Sequence, residues 1–531
     1  MTRPARLLAV ALAPLLALTA CSAAQPATPT SSAATTPVAG GNYVHALEAE
    51  PGGCLDGAQQ RFHVALNIVR QATDSLVDLD PETGKIVPWL ATAWEISPDA
   101  KTFTFTLRDD VTFSNGEKFD ATAVKANFDR ISALGAKAVG AGPVLAGYTG
   151  TTVVDPTTVK VDFAQPNIQF LQGLTAAWLG CIAPTDTQKT ADQLCSGDSP
   201  APGPAVIDSY TKNDSAKLSK RTGHAWPSAT AQHTGEAYLD SVTFTFLSES
   251  GVRVGALQSG QVNSVSLVQP QDEAVLTGSG FSTLVASPPG LVQTWIANQS
   301  SALGGDEAVR KAISLALDRE ALTTLYGSGF APATGLLSPN TPYFTDLSAY
   351  ITHDPTAAAA TLEEAGWTLG SDGIRVKDGV RLSLNVINVF PEQAELLQQQ
   401  LKTVGIDYQI RKLDNAASSQ AIAQGDYDFY VWNMTRADPD VLRGIFSSVG
   451  GAQAYSRAQP SAADAPLAAQ AGETDSAKRQ ALVDEASIEL AKSYVAIPQL
   501  TRAWVYGLGK DVHGFTVDGE AKILLYDTWI G

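Results

Sequence analysis

The sequence predicts an α/β protein of at least two lobes, on three observations. The chain has 531 residues, and a single hydrophobic core stops growing at roughly 250 to 300, so more than one core is required. From Leu382 to Val386 a strand, from Pro391 to Val404 a helix stopped by Gly405, and from Ile406 to Ile410 a second strand follow at the spacing of a βαβ crossover. Such a crossover implies some parallel sheet. The third observation is the stretch Pro88 to Ile131, whose pattern changes from period two to helical spacing within 45 residues or so.

In that stretch the order Thr102-Phe103-Thr104-Phe105-Thr106-Leu107 alternates strictly, so the two phenylalanines and Leu107 share one strand face. Thr92 to Ile96 reads as a second strand, and Ser97-Pro98-Asp99-Ala100 supplies the turn that makes a hairpin. Val111 and Phe113 continue the apolar pattern, and Asn115-Gly116 supplies a turn able to take positive φ. Asp120 is placed to cap a helix with Val124, Phe128 and Ile131 on one face.

The chain opens with Arg3 and Arg6, an apolar run from Leu7 to Leu18, and Leu18-Thr19-Ala20-Cys21. That run is too short to span a bilayer and reads as a signal peptide, residues 1–20, ending in a lipobox. Cys21 is then the expected lipidation site and new N-terminus. Residues 21–41 hold almost no large apolar side chain and no charge, so they read as a flexible tether. No later run is long and apolar enough for a membrane span, which places the protein on the extracytoplasmic face of the membrane, lipid-anchored through Cys21.

The formal charge is −18, with 54 acidic against 36 basic residues. An acidic excess of this size argues against nucleic acid or bare anionic lipid as partner. Beyond Cys21, three cysteines remain: Cys54, Cys181 and Cys195. An exported compartment permits one disulfide and leaves one thiol, and the residues alone do not fix the pairing. Cys54 with Cys195 is favoured, because closing about 140 residues constrains the unfolded chain more than Cys181 with Cys195 would.

Further along, Thr151 to Phe163 alternates on either side of Asp155-Pro156, and Tyr238 to Leu247 recovers period two. Pro184 to Thr234 shows weak periodicity. A second lobe is expected near Trp295, with Asp306 capping a helix through Leu317, Asp354-Pro355 opening another that ends at Gly366, and a long helix from Asp475 to Ala491. Ile497 to Leu508 and Ala521 to Tyr526 return the chain to the first lobe. Catalytic motifs are scarce. Ser209-Tyr210-Thr211-Lys212 matches S-x-x-K without a K-T-G partner, and His224 and His233 share a loop without a cysteine or carboxylate cluster beside them. No enzyme activity, metal or cofactor is expected.

The segment carrying Pro88, Leu90-Ala91, Trp94-Glu95, Ser97, Asp99, Phe105, Leu107-Arg108, Val111, Phe113 and Gly116-Glu117 resembles the signature of the solute-binding proteins of ABC importers in the peptide/nickel-binding family, family 5. Asp74-Ser75-Leu76-Val77 before Thr83-Gly84, Glu50-Pro51 with Leu55-Asp56, Val309 to Leu322, and Ala365-Gly366-Trp367 extend the resemblance. Pro202-Gly203-Pro204 is only a remnant of the family's G-T-G-P. The resemblance implies a two-lobed periplasmic-binding-protein-like fold, class II and cluster C type, with a subdomain inserted in the first lobe. Expected segments are 42–80, 196–293 and 505–531 for the first lobe, 81–195 for the insertion and 294–504 for the second lobe.

By the same resemblance, a peptide or small-molecule ligand binds in an interlobe cleft and is delivered to ABC permease subunits by a monomeric receptor. A sensor or envelope-assembly lipoprotein of the same fold is the alternative. Trp432 corresponds to the family's cleft tryptophan, and Asn433, Thr435, Arg436, Asp438, Glu50 and Trp295 are the further ligand-binding candidates. Peptide-binding members carry W-x-x-D-x-x-D-P, whose first aspartate pairs with the ligand's α-ammonium. Here Thr435 occupies that place and Arg436 stands beside it, which points to an N-blocked or modified peptide, or another polar solute, with a standard oligopeptide the runner-up; Arg436 suits a carboxylate or other anion where it faces the cleft.

Overall fold

The computed structural model describes residues 36–531 apart from 61, 412, 414 and 450–454. The expected signal peptide, Cys21 and most of the tether lie outside the described residues. Seven strands build the first-lobe sheet. Asn42–Leu47 lies at its centre, parallel to Ser241–Phe246 on one side and to Ser264–Val265 on the other. Ser215–Lys220 and Ala205–Thr211 extend one edge, while Trp504–Leu508 and Ser282–Ala286 form the other. The pair at 205–220 comes from the region that showed weak periodicity. A bulge between Ile207 and Ser209 shifts its side-chain alternation, which hides a period-two signal.

The insertion carries a four-stranded antiparallel sheet in the order Ala91–Ile96, Thr102–Leu107, Thr158–Phe163, Tyr148–Asp155. Phe103, Phe105 and Leu107 are buried, as their alternation requires, and both phenylalanines meet Phe170 edge-on. The helix Ala121–Ala133 starts where Asp120 accepts hydrogen bonds from the backbone N–H groups of Thr122 and Ala123. Cys54 is bonded to Cys195, and Cys181 is a buried free thiol. One continuous apolar core runs from the insertion into the first-lobe sheet, so the two share their stability.

The second-lobe sheet has the order Ala331–Pro332, Ala496–Thr501, Gly290–Ala297, Phe429–Thr435, Ser383–Asn388, Asp407–Ile410. Ser383–Asn388 pairs in parallel with Asp407–Ile410 across the helix Ala394–Thr403, which is the expected βαβ unit. Separate apolar clusters cover its two faces. Asp306 caps Glu307–Ala316 and Asp475 caps Ser476–Lys492. The first of these helices stops one residue short of Leu317, whose extended ψ lets Asp318 cap a second short helix, Arg319–Thr323. The chain crosses between the sheets at 287–289 and at 502–503, a few residues before the expected junctions at 293/294 and 504/505. Pro288 and Pro289 lack an N–H and so interrupt the ladder there. No helix of the described residues is long and apolar enough to cross a membrane.

His45, on the central strand, is fully buried between the hydroxyls of Ser264 at 2.6 Å and Ser266 at 2.7 Å. Burial pulls its pKa from 6.5 down to about 3. The folded imidazole is therefore neutral over a range in which the unfolded one takes a proton. Its contribution is complete above pH 6.5 and lost as pH falls toward about 3. At ~1.4 kcal/mol per pKa unit, the loss comes to roughly 5 kcal/mol. Urea unfolding of the wild type at pH 7.5 and 4.5, set against His45→Gln, is expected to show a steeper acid loss in the wild type.

Candidate functional site

The lobes face each other across the crossings and are in contact. Ile168 N–H of the insertion donates to the Ala471 carbonyl of the second lobe at 3.0 Å. Gly290, just after the first crossing, has φ +110°, and a Cβ there would lie 2.2 Å from the Met434 carbonyl and 2.5 Å from the Arg436 nitrogen. Glycine at this position lets the strand end that carries Arg436 close against the crossing.

Arg436 is 8% exposed. Its guanidinium lies 5.8 Å from the ring centre of Trp178 in the insertion. Gln169, Gln172, Ala437, Asp438 and Glu520 complete a small pocket around the two, drawn from the insertion, the second lobe and the C-terminal return. Four polar atoms of this pocket are buried without a hydrogen-bond partner among the described residues: Arg436 Nε, Trp178 Nε1, Gln172 Nε2 and Gln169 Oε1. Leaving such groups unsatisfied costs about 1–3 kcal/mol each, more where the group is charged. Burial lowers the Arg436 pKa, with Glu520, Asp440 and Asp438 opposing, and burial raises that of Glu520.

The neighbouring acids are otherwise engaged. Asp438 forms a two-pronged bond with Arg479, at 2.7 and 2.9 Å, and both side chains are 5% exposed. Asp440 is held the same way by Arg443, at 2.6 and 2.7 Å. Glu50 accepts from the N–H groups of Gly52 and Gly53 and from the Tyr210 hydroxyl, so it closes a turn on the first lobe. The two acids that could replace the missing aspartate at Thr435 are thus already paired.

A second polar group collects around the second crossing. Arg502, in the second crossing, donates to Asn433 at 3.4 Å and lies over the Phe390 ring at 4.6 Å. Burial lowers its pKa, with Tyr326 and Glu392 opposing. From the first lobe, His63 contacts Glu48 at 2.5 Å and packs on Trp504 with ring centres 3.8 Å apart. Tyr326 donates to Glu392 at 2.8 Å nearby.

Of the expected ligand residues, Arg436, Asp438, Asn433 and Thr435 stand at the end of the strand Phe429–Thr435 facing the crossings. Trp432 is half-buried, stacked on Tyr430 and edge-on to Tyr455. Trp295 is corrected: it is fully buried between Tyr408 and Phe429 in the second-lobe core, where an enclosed indole meets no cleft ligand. Gln169, Gln172, Trp178, Arg479, Arg502 and Glu520 were not anticipated. Gln169, Gln172, Trp178 and Glu520 meet Arg436 from positions up to several hundred residues apart, Arg479 joins through Asp438, and Arg502 belongs to the second group; no local spacing marks any of them. Among the described residues, no group of three or more His, Cys, Asp or Glu side chains is arranged to hold a metal ion.

Two α/β lobes joined by a double crossing, with polar groups gathered between them, define a solute-binding protein of the clamshell kind. The chain belongs to the bacterial extracellular solute-binding proteins, family 5, whose model matches residues 85–456. The glutathione-binding protein GsiB of Salmonella paratyphi A is 28% identical over 475 residues, covering 85% of this chain and 87% of that one. Among solved structures, NikA from Brucella suis in complex with Fe(III)-EDTA shares the fold with a TM-score of 0.78, at 24% identity over 92% of this chain and all of that chain. DppA from Helicobacter pylori in complex with the peptide STSA does so with a TM-score of 0.77, at 20% identity over 93% and 98%.

Arg479→Met leaves the buried Asp438 carboxylate without its partner and is expected to cost ~3–5 kcal/mol, whereas the double change Arg479→Met with Asp438→Leu recovers much of it. Thermal unfolding of the three proteins measures this. A single variant as stable as the wild type would show the pair to be dispensable.

Proposed function

We propose that this solute-binding protein captures a small anionic peptide or peptide-like solute, with a carboxylate on Arg436, and delivers it to an ABC permease. The observation that carries the reading is the buried Arg436, which no carboxylate pairs with among the described residues, set beside the N–H donors of Trp178 and Gln172. Three donors to one acceptor favour an anion, and a planar fork suits a carboxylate in particular. The glutathione-binding relatives support a short, acidic, modified peptide as the ligand class. Thr435 offers no charge to an α-ammonium group, and the engaged Asp438 and Glu50 do not substitute for one.

Calorimetric titration tests this with glutathione, N-acetylated dipeptides carrying an acidic side chain, and free-amine trialanine. The acidic and N-blocked ligands are expected to bind, and Arg436→Ala to weaken them ~10- to 100-fold, the worth of a charged hydrogen bond. Tight binding of trialanine that is lost on acetylation and indifferent to Arg436→Ala would overturn the reading.

The protein is further proposed to be held on the extracytoplasmic membrane face by lipid on Cys21, as a monomer. One diacyl unit contributes ~0.8 kcal/mol per buried CH₂, so Cys21→Ala should release the protein from the membrane fraction. Persistent pelleting of that variant would dismiss the anchor.

A further inference from the structure

A pocket on the first lobe lies away from the Arg436 site. It measures about 680 Å³ and is lined by residues 37, 70–89, 204–238 and 514–529, from the first lobe, the start of the insertion and the end of the tether, with none from the second lobe. The hairpin of Val77–Leu79 and Ile86–Pro88 separates it from the second lobe. Asp78, Leu79 and Val87 face this cavity, whereas Gly84, Lys85 and Ile86 line the groove toward the second lobe. The cavity's volume falls in the range that holds a small ligand.

Its wall is acidic and aromatic. Asp74, Asp78, Asp80, Glu82, Asp518 and Asp527 line it, against Arg70 and His224. Most of these charges are already spoken for. Arg70 bonds Asp518, Ser75 and the Thr175 carbonyl. Asp78 accepts from the hydroxyls of Ser228 and Thr230, and Asp527 from His233 and the Gln232 N–H.

Asp74 and His224 differ. Each is 1% exposed. Asp74 Oδ2 lies 3.2 Å from His224 Nε2 and 3.1 Å from Trp226 Nε1, while Asp74 Oδ1 and His224 Nδ1 are buried without a partner. With Nε2–H donating to the carboxylate, the neutral ring presents Nδ1 as an acceptor, so both open valences call for a donor. Trp89, Phe515, Tyr526 and Trp529 add aromatic bulk to the lining, already covered on one side by Arg70, His45, His233 and His513 respectively, so the preference for a cation rests on the Asp74 carboxylate.

We infer that the first lobe carries a second ligand site, distinct from the cleft, that takes a primary ammonium compound with an aromatic or aliphatic body, its N–H groups directed to Asp74 and His224. This does not rest on the ligand proposed for Arg436.

Titration of the full exported chain with phenethylamine, and with 2-phenylethanol as its neutral counterpart, is the test. Phenethylamine should bind one to one, and the alcohol ~10-fold more weakly or not at all. Asp74→Asn should reduce amine affinity ~10-fold or more, and Arg436→Ala should leave it unchanged. If Asp74→Asn melts early, Ala229→Trp decides instead: Ala229 is an exposed residue of the lining, and the indole would fill the space without touching Asp74. No amine binding up to about 10 mM, equal binding of the alcohol, loss on Arg436→Ala, or retention in both first-lobe variants would each overturn the assignment.

Discussion

The architecture depends on a two-stranded antiparallel ribbon that passes through both sheets. Ser282–Ala286 pairs with Trp504–Leu508 in the first sheet, and the same two chain segments, continued as Gly290–Ala297 and Ala496–Thr501, pair again in the second. The ribbon's own pairing is interrupted between Ala286 with Trp504 and Gln293 with Leu500, and within that gap 287–289 and 502–503 belong to no strand. A ribbon continuous on both sides of a short gap fixes which edges meet and leaves few backbone dihedrals free to change. Motion of one lobe against the other is thereby confined to those few residues, the behaviour expected of hinges at element ends. The Cys54–Cys195 bond and the shared core make the insertion move with the first lobe, so the moving parts number two.

Charge pairing at the second-lobe edge follows from that geometry. Asp438 and Asp440 both follow the strand end, and each is claimed by an arginine of the same lobe, Arg479 and Arg443. Such pairs gain little net stability, since desolvation offsets much of the attraction. Their consequence is that both nearby carboxylates are bonded elsewhere and neither forms an ion pair with Arg436. The one acid left near it is Glu520, across the interface on the C-terminal return, and burial favours its neutral form. A guanidinium placed this way is costly to enclose unless an anion enters with it.

How far the sequence revealed all this depended on range. The hairpin and capped helix between Ala91 and Ala133 were legible because alternation, turn residues and Asp120 are local signals that the structure uses unchanged. The βαβ unit from Ser383 to Ile410 was legible for the same reason. Ala205–Thr211 was hidden by its bulge, and the helix Asn415–Gln424 by a sequence of small and polar residues with no apolar stripe. Arg436 and Asp438 could be named from one segment, but their fates diverged because Arg479 lies on a helix 41 residues away. Trp295 misled for a related reason: a strand that begins at Gly290 rather than near Trp295 carries the indole well inside the sheet.

The cost of enclosing Arg436 bears on what closure means for a receptor of this kind. Ligand can shift an open-to-closed equilibrium only by the difference in its affinity for the two states. Arg436 comes from the second lobe, Trp178, Gln169 and Gln172 from the insertion, and Glu520 from the C-terminal return, so the full donor set exists only when the lobes meet. In the open state water would satisfy these groups at no cost. In the closed state they are buried, and the carboxylate proposed above would restore the lost hydrogen bonds in a medium where each is stronger than in water. A solute lacking that group would leave the penalty in place and so favour the open form. On the proposed reading, selectivity for an anion would rest less on the strength of its contact with one arginine than on the instability of the closed state without it.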